Sequence, residues 1–136
     1  MKVILFIIIV GVIYSVFKYL TKDRRPLEEK FNIIIQDINM GLLNGGGEIV
    51  KVSKRDINLF NDNIPNILIH FMYRSGDLMI ILRYKYFQQE MVYKKVFDDI
   101  DNDIIYADQH LVANEFVTEA LVKKEEHENK IIQTIR

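Results

Sequence analysis

The feature that most constrains this chain is the run VILFIIIVGVIYSVF at Val3–Phe17, fifteen residues without a charge. A helix advances about 1.5 Å per residue, so Val3–Leu20 would extend roughly 27 Å, close to the hydrocarbon thickness of a bilayer. Lys18 can carry its ammonium to headgroup level, and Tyr14 and Tyr19 suit an interface near that end. The expectation is a retained single-pass transmembrane anchor over residues 1–25, with Val3, Ile9 and Phe17 in lipid and Lys18, Arg24 and Arg25 as its basic flank. A cleaved signal peptide would need a small-x-small site, and Ile13-Tyr14-Ser15 is the only approximation to one. A lipoprotein signal is excluded, because the chain has no cysteine to carry the lipid. A buried core helix would show a polar face, and this run has none.

Flanking charge predicts the orientation. Lys2 and the amino group stand on one side of the run; Lys18, Lys22, Arg24, Arg25 and Lys30 stand on the other. Excess Lys and Arg stays cytoplasmic, which places the remaining chain inside the cell. The opposite reading takes Lys2 as the dominant signal of an N-in anchor and exports the domain.

Beyond Arg25 the chain is long enough for one domain with one core, residues 26–136. Without cysteine it has no disulfide, no thiol nucleophile and no thiolate metal site. The net charge of −1 conceals an asymmetry. Residues 1–97 carry 14 Lys and Arg against 9 Asp and Glu, net +5; residues 98–136 carry 4 against 10, net −6. A basic membrane-proximal part suits anionic headgroups, while an acidic distal part is repelled by them.

Pro26 can open a helix, with Glu28 and Glu29 in its first turn. Apolar residues at Leu27, Phe31, Ile34, Ile35, Ile38 and Leu42 keep helical spacing, and Asn44-Gly45-Gly46-Gly47 can close the helix through a left-handed cap. Strands are expected at Glu48–Ser53, Asn66–Tyr73, Leu78–Phe87 and Met91–Phe97, and Lys54–Asn63 is expected as a polar connection. Arg74-Ser75-Gly76-Asp77 is a hairpin signal. A turn near Gln88–Glu90 has no Gly or Pro to mark it. Ala113, Phe116, Val117, Ala120 and Leu121 form the stripe of a long C-terminal helix beginning near Ile104. The predicted fold class is α+β: an anchor helix, then an antiparallel sheet of three to four strands flanked by an N-terminal and a long C-terminal helix.

Asp99, Asp101 and Asp103 hold the 1, 3, 5 spacing of a calcium loop. The position that should be Gly is Ile104, and the one that should be a bidentate Glu is His110. These three are the only metal candidates, and the expectation is an acidic helix-capping loop with no bound metal or cofactor. Arg83-Tyr84-Lys85-Tyr86-Phe87 interleaves basic and aromatic residues as single-strand nucleic-acid binders do. Strand alternation puts the charges on one face and Tyr84 and Tyr86 on the other, so nucleic acid is not the expected partner. The Gly run follows a helix and precedes a strand, the reverse of a phosphate-binding loop. His70, His110 and His127 are scattered, and Ser15, Ser53 and Ser75 are the only serines, which argues against a Ser–His–Asp triad.

The functional expectation is a non-enzymatic, membrane-anchored binding or accessory subunit that holds a protein partner at the bilayer. Arg83 and Lys85 on the sheet, with Glu115, Glu119 and Lys123 on the last helix, are the expected partner surface. The alternatives are an exported envelope-complex component or immunity-type inhibitor, and a cation- or ligand-binding sensor domain.

Overall fold

The computed structural model describes residues 1–20, 25–101 and 103–135, and for 18–20 the backbone alone. Lys22 and Arg24 therefore lie outside the described residues, as does the Lys18 side chain. Helix α1 is Lys2–Leu20, and α2 (Leu27–Lys30) and α3 (Asn32–Leu43) follow. Five strands come next: β1 (Glu48–Ser53), β2 (Asp56–Phe60), β3 (Ile67–Arg74), β4 (Asp77–Tyr86) and β5 (Gln89–Phe97). The chain closes with α4, Tyr106–Ile135.

Helix α1 corrects the membrane reading. No helix among the described residues is long and apolar enough to cross a membrane. The uncharged run Val3–Phe17 rises only about 22 Å as a helix, short of the roughly 30 Å hydrocarbon core. The single-pass transmembrane anchor, the signal-anchor and the membrane localisation inferred from it are withdrawn, and the cytoplasmic placement drawn from flanking charge goes with them. Val3, Ile9 and Phe17 are instead 71, 48 and 64 % exposed on α1.

The expected helix over 26–44 is two helices. At Phe31 the backbone leaves helical geometry (φ −116, ψ 34), so α2 and α3 meet at an angle with Phe31 fully buried between them. Asn44 (φ 54) and Gly45 (φ 78) close α3 in the left-handed conformation that Asn and Gly tolerate. The amides of Gly45 and Gly46 donate to the carbonyls of Asn39 and Leu43.

The sheet has five strands, not three or four. The added strand is β2, inside the stretch expected to be a polar connection. Its sequence DINLF alternates, sending Ile57 and Leu59 into the core. All neighbours are antiparallel and in chain order, β1-β2-β3-β4-β5. The β3–β4 turn places Ser75 (φ 53) and Gly76 (φ 83) in the left-handed region, as the Ser-Gly signal predicts.

The β4–β5 turn has the same backbone form built from Phe87 (φ 48) and Gln88 (φ 62), residues without any preference for it. Each such non-Gly position carries strain of order 1 kcal/mol. The double substitution Phe87→Asn, Gln88→Gly is therefore expected to stabilise the domain by about 1–2 kcal/mol. A urea midpoint that fails to rise would show that the Phe87 ring on Tyr86, 4.7 Å between centroids, outweighs the strain.

Both α3 and α4 pack on one face of the sheet. Ile57, Leu59, Ile69, Phe71, Leu78, Ile80 and Leu82 point at Ile34, Ile38, Leu43, Ala113, Phe116 and Ala120 in one continuous core. The two helices approach so closely that a Cβ on Gly41 would sit 2.7 Å from Val117 Cγ1. The N-terminus of α3 is capped from a distance. Phe31 has no capping side chain, and Gln109 of α4, 3 % exposed, accepts from the amides of Ile33 (3.2 Å) and Ile34 (3.4 Å). Its amide nitrogen donates to the carbonyls of Ile104 (3.1 Å) and Lys30 (3.5 Å).

Candidate functional site: the uncovered face of the sheet

Because the helices occupy one face, the alternate residues of every strand emerge on the other. Strand register sets them in rows. Val50, Asn58, His70, Ile81 and Lys94 lie side by side across the sheet. The next row runs Glu48, Phe60, Leu68, Arg83 and Val92, and on the opposite flank Asp56, Met72, Met79 and Val96 align. Leu68, Met72, Met79 and Ile81 are half-buried, while Val50, Val92 and Val96 are 53, 54 and 43 % exposed. This is an apolar field about 19 Å wide, at roughly 4.8 Å per strand spacing. No helix among the described residues lies over it.

A polar cluster stands in that field. Ser53 Oγ donates to Asp56 Oδ2 (2.8 Å), and Arg74 Nη2 reaches the same oxygen at 3.3 Å. His70 Nε2 lies 3.6 Å from Asp56 Oδ1, and His70 Nδ1 lies 2.6 Å from Asn58 Oδ1. Burial pushes the Asp56 carboxyl up. Hydrogen bonds from Ser53 and Arg74, with the charges of Arg74 and His70, outweigh it and hold the carboxyl below its ordinary value. The cluster is a partly satisfied ion network: Asp56 Oδ2 accepts from Ser53 and Arg74, while the buried Asp56 Oδ1 has no hydrogen-bond partner among the described residues and only the His70 ring at ion-pair distance. Its serine donates to the aspartate and not to the histidine, so the arrangement is not the serine–histidine–aspartate relay.

The expected partner surface is divided by the sheet. Arg83 and Lys85 are on the uncovered face, where Arg83 pairs with Glu90 at 3.2 Å. Glu115 and Glu119 are on the covered side, where both hold Lys95 of β5, at 2.9 and 2.7 Å. Tyr93 donates to Glu119, and Tyr84 donates to Glu128 farther along α4. Lys123 pairs only along its own helix, with Glu126 at 3.6 Å. The acidic side chains of α4 thus clamp the helix to the sheet.

That clamp has a pH signature. Burial, and then the Glu119 hydrogen bond, push the Tyr93 hydroxyl up to about 12. Tyr84 is raised further, by burial and then by its hydrogen bond to Glu128, and Lys95 is raised by its bonds to Glu119 and Glu115. A group whose value is raised by folding adds stability that is complete below its unfolded value and fades as pH climbs through the folded one. The urea midpoint is expected to stay level to about pH 9.5, then to fall between roughly pH 10 and 12. Tyr93→Phe should flatten part of that fall. An equally steep fall in the variant would place the titration elsewhere.

The acidic loop lies ahead of α4, on the N-terminal side of this clamp. Asp99 (φ 56) donates its amide to Asp77 Oδ1, the Asp101 carbonyl accepts from Ile104 N, and Asp103 pairs with Arg25 at 3.2 Å. Among the described residues no group of three or more His, Asp or Glu could hold a metal ion. Reasoning from sequence missed the Asp56, Asn58 and His70 cluster because β2 was not recognised. The alternation of Asp56, Asn58 and Phe60 against Ile57 and Leu59 was the signal that could have found it.

Fold and site together define a two-layer α+β domain, an antiparallel meander with helices on one side and an apolar face on the other. Comparison with protein-family models, with curated proteins and with solved structures finds no match for the chain.

Proposed function

We propose that the chain is a non-enzymatic protein-binding module and that the uncovered sheet face is its docking surface. One observation carries this: the sheet presents Leu68, Met72, Met79, Ile81, Val92 and Val96 together on the face that no helix among the described residues covers. Contiguous apolar surface of this kind marks interaction sites, because a monomer gains nothing by holding it in water. Arg83, Lys85 and Lys94 edge the patch and favour a partner with acidic residues around an apolar ridge.

The test is site-specific photo-crosslinking in the producing cells, from Met79 and Ile81 on the uncovered face and from Lys123 on the solvent side of α4. Discrete adducts are expected from the two sheet positions and not from Lys123. Met72→Lys should remove them without moving the thermal midpoint by more than a few degrees. Adducts from Lys123 alone, or turnover of a substrate by the purified chain, would overturn the proposal.

A further inference from the structure

The geometry points to a face-to-face dimer in which the two α1 helices, one from each copy, fill the space between the two uncovered sheet faces. This rests on reading the outer face as a docking surface, and it names the occupant as a second copy of the same chain. Among the described residues, α1 and the outer sheet face are both apolar surfaces that no other element covers. Every side chain described on α1 is exposed, the large apolar ones from 48 % at Val10 to 71 % at Val3. A helix that is apolar all round needs burial all round. One sheet could cover only one side of it. Between two sheets, with a second helix alongside, every side is covered.

The dimensions agree. Two helices side by side, 8–10 Å between axes, occupy about 20 Å, and five strands span about 19 Å. Val3–Phe17 is about 22 Å long, within the roughly 17–34 Å of strands of five to ten residues. Gly11 and Ser15, four residues apart on one side of α1, remove bulk where the two helices would touch, and a Cβ on Gly11 would meet nothing within 4 Å. Each helix has a projected footprint of about 220 Å² on each sheet. Two of the four helix–sheet contacts join different copies, and with both surfaces of each counted they bury about 880 Å², near the threshold for a stable interface before the helix–helix contact is added.

The absence of native cysteine makes the test clean. Full-length chains carrying Ile9→Cys alone and Ile81→Cys alone, each with a different tag, would be mixed and oxidised. Met79→Cys would serve as a second sheet position, and Lys123→Cys as the control. The expected result is a disulfide between unlike tags for the two sheet positions and none for Lys123, with light scattering giving a dimer mass. If Ile81→Cys is shielded from maleimide in the producing cells yet never links to α1, another protein occupies the face; the dimer is then wrong and the docking surface stands. If the cysteine is labelled freely both in cells and after purification of a monomer, dimer and docking surface both fail.

Discussion

Replacing Gln109 with leucine is expected to cost the domain roughly 2–5 kcal/mol, because two amides would lose their only cap inside the protein. The first turn of any helix carries donors without intrahelical partners, and in α3 the preceding residue is Phe31, which offers none. Gln109 meets that need from 76 residues away. Leucine fits the volume, so the loss isolates the hydrogen bonds from the packing. Gln109→Glu keeps the acceptor and places a negative charge at the positive end of α3, but gives up the donation to Ile104 and Lys30. It should fall between wild type and leucine. Urea unfolding decides the matter: a midpoint shift worth less than about 0.5 kcal/mol for Gln109→Leu would mean that water caps α3 equally well.

The second large effect is at Phe116. Its ring is fully buried on α4 and stacks on Tyr93 with centroids 5.4 Å apart. Phe116→Ala removes the ring from the middle of the core shared by α4, β4 and β5, and should cost about 3–5 kcal/mol. Against a typical total of 5–15 kcal/mol this is a large share. Phe116→Leu should retain most of the stability. A double-mutant cycle with Tyr93→Leu should give a coupling of about 0.5–1.5 kcal/mol. Phe116→Ala within 1 kcal/mol of wild type would mean that α4 repacks over the sheet, and the core assignment would be wrong at that helix.

Much of the architecture was legible because the core obeys simple periods. The stripe from Ala113 to Ala120 lies where helical spacing put it, and Asn44 takes the left-handed cap its residue type suggests. Alternation correctly divided Leu82 and Tyr84 from Arg83 and Lys85. Strand β2 escaped notice because Asp56, Asn58 and Asn61 made its stretch look like a turn, although Ile57 and Leu59 are fully or almost fully buried. The Phe87-Gln88 turn was unreadable in kind, since its left-handed backbone is imposed by strand pairing on residues that disfavour it. The Gln109 cap joins positions far apart in the chain, and no local pattern announces it. At α1 the composition was plain and the length misled: the run reached bilayer thickness only when it was extended past Lys18. On the candidate site, the basic positions of β4 were foreseen, but their separation from Glu115 and Glu119 depends on which face the helices choose.

The strictly sequential order of the strands bears on how the domain is made. Each hairpin can close as soon as its second strand emerges from the ribosome, since every pairing joins neighbours in the chain. Helix α4, which supplies Phe116 and the cap for α3, is synthesised after all five strands. For the time needed to make the thirty residues of α4, the nascent sheet has α3 but not α4 on its core face and leaves part of that face bare. Premature termination before Tyr106 would leave that intermediate as the final product, a substrate for chaperones and proteases rather than a shorter version of the domain.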